Sequence, residues 1–276
     1  MTRNRTRRSP RNRGESGGKL KGWLGLAAAV AFLGVGGWQI AVQLSGRSEL
    51  GGDLCPVTGE ASLTAVVVDL TDPLSVPQKQ DFLNQLERVR NGVPKYGRLT
   101  LYRVDATKEH LLEPVFDKCN PGDGSDITEA NGNPKKVRAL WLSEFSKPVE
   151  DAFVELTKQS GAAESPILES VQSVTLTKLQ RPDAAGKPKK LILVSDLLQN
   201  SGDLNFYHRL PTLEELRRTN TYRTGMSDLT GVKTEIWMLS RPTAADIQGR
   251  SLATLWALIF RSEGAEGDIP VHNING

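Results

Sequence analysis

Two acidic residues close two strongly apolar runs. They are Asp69 in Ala65-Val-Val-Val-Asp69-Leu-Thr71-Asp72-Pro73 and Asp196 in Leu191-Ile-Leu-Val-Ser195-Asp196, with Ser165-Pro166 between them in the chain. An apolar run of four or five residues that stops at a carboxylate is how a buried parallel strand brings an acid to the rim of an α/β sheet. Ligands of such sheets collect at that rim, and if strand order reverses between these two strands, both acids face one crevice. Two carboxylates in a dry crevice repel, and one pKa rises unless a cation neutralises them. Oxygen donors of this kind suit Mg2+ or Mn2+, with the hydroxyls of Thr71 and Ser165 as neutral ligands. A plainer role stays open: Asp69 and Asp196 capping the helices that follow them, favourable by about 1 kcal/mol each.

The elements needed to position these residues can be read from periodicity. Ser62 to Asp69 is expected as a first strand, and a helix opens at Pro77 with Phe82, Leu83, Leu86 and Val89 on one face before Asn91-Gly92 stops it. Arg98 to Val104 reads as a second strand, and residues 117–136, rich in Asn, Pro, Gly and Asp, as a long excursion. Asp123, Ser125 and Asp126 lack the EF-hand offsets and read as turns. A short strand is expected over Val137 to Leu142, then helices over 148–159 and 166–179, the strand Leu191 to Ser195, a helix over 211–218, the strand Val232 to Leu239, and a helix over 244–261. Strands alternating with helices imply an α/β fold, a doubly wound and mostly parallel sheet covered on both faces.

Charge and hydropathy divide the rest. Residues 1–22 hold eight Lys and Arg against Glu15 alone, so with a net charge of +3 for the whole chain the remainder carries −4. A mildly acidic globular part argues against nucleic-acid binding by the fold. Residues 23–44 contain no ionisable side chain and would span roughly 33 Å as a helix, enough to cross a membrane. The expected layout is a basic cytoplasmic tail (1–22), a transmembrane helix (23–44), a linker (45–60), an α/β domain (61–264) and a C-terminal tail (265–276). The positive-inside rule places the domain in the extracytoplasmic space, periplasmic for an inner-membrane protein. A cleaved signal peptide is the competing reading, against which stand the length of the apolar stretch and the poor cleavage site at Val42-Gln-Leu44. In an oxidising compartment Cys55 and Cys119 are candidates for a disulfide, closing about 64 residues for roughly 4 kcal/mol; two unrelated thiols are the alternative.

At the crevice residues the chain resembles the von Willebrand factor type A domain and its metal-ion-dependent adhesion site. That family carries Asp-x-Ser-x-Ser after its first strand, a Thr or Ser in a loop before a middle helix, and an Asp after its fourth strand. Asp69 and Thr71, Ser165, and Asp196 match these positions in order, while Pro73 stands where the third motif residue should offer a hydroxyl, so the site is degenerate. Ser75 or Asp72 are nearby substitutes. The chain is similar in this respect to membrane-anchored bacterial proteins with a divergent domain of this type. The resemblance implies a Rossmann-like sheet and a protein-interaction or assembly module rather than an enzyme, with magnesium engaging an acidic residue of a partner protein.

Two other functions use the same residues. A haloacid-dehalogenase-like phosphohydrolase would take Asp69 as nucleophile, then Ser165, Lys187 or Lys190, and Asp196, although Thr71 stands where its acid-base Asp belongs. A metal-independent scaffold would leave the crevice vestigial and make its contacts through the Lys187 to Lys190 loop or the 117–136 excursion. His110, His208 and His272 have no Gly-x-Ser-x-Gly partner.

Overall fold

The computed structural model describes residues 49–106, 111–130, 132–158 and 161–274. The expected tail and transmembrane helix lie outside the described residues, as does His110. Among the described residues no helix is long and apolar enough to cross a membrane.

Six strands form one sheet. β1 (Leu63–Val68), β2 (Arg98–Arg103), β3 (Pro114–Cys119) and β4 (Lys189–Ser195) come first in the chain, then a small hairpin of β5 (Asn200–Ser201) and β6 (Leu204–Asn205), then β7 (Val232–Leu239) and β8 (Val271–Ile274). The order across the main sheet is β3-β2-β1-β4-β7-β8, every pair parallel except β2 with β3. This is the doubly wound α/β arrangement, with its switch point between β1 and β4 as the apolar runs required.

Helices cover both faces. On one lie α1 (Val76–Gly92), α2 (Pro134–Trp141) and α3 (Lys147–Lys158), the last two joined by a π-helical turn at Leu142–Ser146. Their Phe82, Leu86, Phe145 and Phe153 pack on Val66, Val68, Ile192, Val194 and Trp237. The other face carries α4 (Ile167–Val174), the short α5 (Leu213–Leu216) and α6 (Asn220–Gly225), and α7 (Arg250–Ser262), whose Trp256 and Ile259 join Ala65, Val67, Leu191 and Leu193. Successive residues of β1 and β4 thus feed opposite cores, which is why their runs are apolar without alternation.

Three elements differ from expectation. Val137 to Leu142 is helical, because Asn133 accepts the Lys136 amide and Pro134 occupies the first turn, and this cap outweighs the β-branched Val137. The 117–136 excursion begins inside the edge strand β3, whose mostly unburied residues and Pro114 suit an edge position. Residues 271–274 of the expected tail form β8 beside β7.

Residues 49–60 are fastened to the amino-terminal end of the sheet. Cys55 and Cys119 form a disulfide, and Arg98 of β2 pairs with Asp53 at 2.6 Å and Asp117 at 2.8 Å. Buried Glu60 meets Lys187 at 3.0 Å and Arg181 at 3.3 Å. Replacing both cysteines by serine is expected to lower unfolding free energy by about 2–4 kcal/mol. Denaturant midpoints check this: reduced wild type should coincide with the double variant.

Candidate functional site

Asp69 follows β1 and Asp196 follows β4, and each is only 1% exposed. The Asp69 amide donates to Val194 O at 2.8 Å, so the first turn beyond β1 is still paired with β4 and the two acids leave the sheet side by side. Ser165 is fixed at the start of α4 by a two-way backbone bridge to Asn200, at 2.8 and 3.0 Å. Its hydroxyl donates to Asp69 Oδ2 at 2.7 Å, and the Ser195 hydroxyl donates to the same oxygen at 2.9 Å. Asp69 Oδ1 accepts the Thr71 amide at 3.2 Å. The expected four residues are therefore drawn to one rim, and Ser195 joins them.

Neither acid caps a helix. Ser75 caps α1 in a reciprocal capping box with Gln78, which also removes Ser75 as a substitute ligand. After Asp196 the chain turns through Leu197, at φ 67°, held by its amide to Ser195 Oγ at 2.8 Å and its carbonyl to the Trp256 indole at 2.9 Å. A leucine in the left-handed region costs of order 1–3 kcal/mol, and persists because these bonds fix it. This turn lets the Leu198 amide reach Asp196 Oδ1 at 3.0 Å.

Arg241 lies outside the acids and hydroxyls that the sequence offers as ligands. It lies just past β7, the strand beside β4, and is 7% exposed. Its Nε donates to Asp196 Oδ2 at 3.3 Å, Nη1 to Pro73 O at 2.9 Å and Nη2 to Asp72 O at 3.0 Å. Gln248 locks it from behind, accepting the Arg241 amide at 2.5 Å while donating to Asp196 O and Leu239 O. The signal in the sequence is slight, a cation two residues past the apolar stretch Ile236–Leu239, whereas the acids directly follow their strands.

Burial drives the Asp196 carboxyl up to about 7, Asp69's charge pushes the same way, and the Leu198 amide and Arg241 hold it back. Tyr207, 39% exposed, stands at the crevice mouth: burial raises its phenol above the ordinary range, and so do the charges of Asp196, Asp72 and Asp69. Asp72 turns its half-exposed carboxylate toward the same mouth, 3.7 Å from Arg241 Nε.

As they stand, these donors do not fit a divalent ion. Asp196 Oδ2 is held by a guanidinium, and a second cation beside it would meet like-charge repulsion on the order of 4 kcal/mol per unit charge at 4 Å. Asp69 Oδ2 is taken by two hydroxyls, one of them the expected ligand Ser165, and Pro73 offers no side-chain donor. Only the Thr71 hydroxyl, buried without a hydrogen-bond partner, is idle. Among the described residues no cluster of three or more His, Cys, Asp or Glu is placed to hold a metal.

The phosphohydrolase layout fails on geometry. Lys190 pairs with Glu235 at the amino end of β4, six residues and roughly 20 Å from Asp196, and Lys187 pairs with Glu60.

No protein-family model matches the sequence, and no curated protein matches it. Among solved structures, the chain is similar to the conserved hypothetical protein BatB from Bacteroides thetaiotaomicron, at 8% identity over 78% of this chain and 91% of that one, TM-score 0.41. It is similar to an aerotolerance-related membrane protein from Bacteroides fragilis, at 9% identity over 78% and 92%, TM-score 0.35. A third likeness is to the SpRpn10 VWA domain, at 8% identity over 77% and 87%, TM-score 0.38. The doubly wound assignment stands on the strand order of this chain itself.

Proposed function

We propose that this chain is a protein-interaction module whose docking face is the crevice at the carboxyl ends of β1 and β4, and that it works without a divalent cation. One observation carries the reading: at the switch point of the sheet, where ligands of this fold collect, one buried acid is already paired with a guanidinium and the other is hydrogen-bonded by two hydroxyls. What the crevice offers to a visitor is its rim, the Asp72 carboxylate and the Tyr207 phenol. That rim suits a basic or hydrogen-bonding side chain of a partner protein. With the apolar segment 23–44 as a membrane tether, the domain would present this face in the extracytoplasmic, periplasmic space.

The places expected to make contacts in a metal-independent scaffold lie at the other end of the strands. Lys187, Lys189 and Lys190 line a cavity of about 780 Å³ there, and Asn120 to Asp126 border another of about 690 Å³. A photo-crosslinking residue at Tyr207, with Thr230 beside the first of these cavities as control, separates the two ends. Adducts are expected from Tyr207, undiminished by chelator. Adducts from Thr230 alone would defeat the reading.

A second reading is favoured by the idle Thr71 hydroxyl. Here Asp69, Thr71, Ser165 and Asp196 hold Mg2+ or Mn2+, an acidic residue of the partner completes the ion's shell, and Arg241 must first release Asp196. Adducts that vanish with chelator would select it.

A further inference from the structure

We propose that Arg241 is the resident cation of this crevice, and that its presence, more than the missing hydroxyl at Pro73, is what closes the site to metal. The guanidinium supplies the positive charge that a buried acid pair demands, and it does so at the meeting of three loops. It joins the turn after β1 through two carbonyls, the turn after β4 through a carboxylate, and the lead into α7 through Gln248. Its planar fork matches these acceptors, and its charge is permanent at any physiological pH.

Pro73 fits the same scheme. A metal site needs a side-chain oxygen at that position, whereas the guanidinium needs only the backbone carbonyl, which proline retains and Arg241 Nη1 occupies at 2.9 Å. The proline that looks like a lost ligand is compatible with every bond the arginine makes. The Thr71 hydroxyl, buried and unpaired, is then a leftover oxygen donor, and it marks the site as latent. Removing the guanidinium should free Asp196 Oδ2 and uncover a place for a hard divalent ion bounded by Asp69, Thr71 and Asp196.

The inference deepens the metal-independent reading above and rests on it. Its test uses Mn2+ alone and no partner, so failure to find a partner and failure of this inference show separately. Full-length protein in detergent micelles is titrated with Mn2+, following the loss of the free-ion electron paramagnetic resonance signal and the shift in Tm. Wild type and Arg241→Lys are expected to show no binding at 1 mM Mn2+. Arg241→Gln should bind at least tenfold more tightly than wild type, with Tm rising by several degrees, and Asp196→Asn added to it should abolish both changes. Pro73→Ser with Arg241 in place should remain blind to Mn2+, and this variant decides the matter if Arg241→Gln does not fold. Wild type binding as tightly as Arg241→Gln, a folded Arg241→Gln that binds nothing, or a Pro73→Ser that binds by itself would each overturn the proposal.

Discussion

Arg241→Ala should lower the unfolding free energy at pH 7 by about 2–4 kcal/mol, chiefly the cost of leaving buried acceptors without their donors. The substitution strips Asp196 of its counter-ion and leaves the carbonyls of Asp72 and Pro73 without their donors. Three loops lose a common tie. Asp196, lifted by burial, takes up a proton when its partner is gone, so the charge part of the loss should be absent at pH 5 and grow as pH rises past 7. Adding Asp196→Asn should recover part of it, because the double variant buries no unpaired ion. Urea unfolding followed by the fluorescence of Trp237 and Trp256, both buried, measures wild type and the two variants. A loss below about 1 kcal/mol at pH 7 would show that Arg241 is not bound to Asp196 in solution.

Stability should also fall as pH rises from about 4.5 to about 8, and Glu263 is the main cause. This carboxyl lies just past α7, 6% exposed, and neither oxygen has a hydrogen-bond partner. Burial lifts it to about 8, and the nearby Ser227 backbone amide, short of a formed hydrogen bond, offsets this only in part. Between the ordinary glutamate value and 8, the unfolded chain has released this proton while the folded chain still holds it. The folded state binds more protons there, so its stability drops with rising pH, and is fully present only below about 4.5. A separation of this size corresponds to about 5 kcal/mol at most, and Asp196 adds a drop of the same sign between about 4 and 7. Glu263→Gln should flatten the profile above pH 5 and make the protein more stable at pH 8 than wild type. A wild-type profile that is level, or that rises, from pH 5 to 8 would refute the assignment.

The legible part of this fold is the part buried on both faces. β1 and β4 announce themselves as unbroken apolar runs because each sends alternate side chains into two different cores, and their terminal acids mark the rim. The edge strands carry no such signature. β3 contains Pro114, Asp117 and Lys118, and Val-His-Asn-Ile of β8 is exposed for three of its four residues. Neither pattern distinguishes strand from loop. In α2 the deciding information sits in one cap, Asn133, where a run containing Val137 and Trp141 reads equally well as a strand.

At the crevice, the residue types marked one rim of the sheet but not the charge that answers its acids. Asp69, Ser165 and Asp196 converge as their strand ends and the Ser-Pro turn implied. Which charge would answer them was not readable, because Arg241 is 45 residues beyond Asp196 and meets it only through the pairing of β4 with β7. The acids and hydroxyls are one half of an ion pair, and the other half follows a different strand.

The fastening of residues 49–60 bears on how the domain would carry load. Tension arriving at residue 49 does not first peel β1 from the sheet. It passes through the sulfur bridge into the end of β3, and through Asp53 into Arg98 at the start of β2, so the pull is shared by the outer pair of strands. The crevice lies at the opposite ends of β1 and β4, so the load path along the base does not run through its residues.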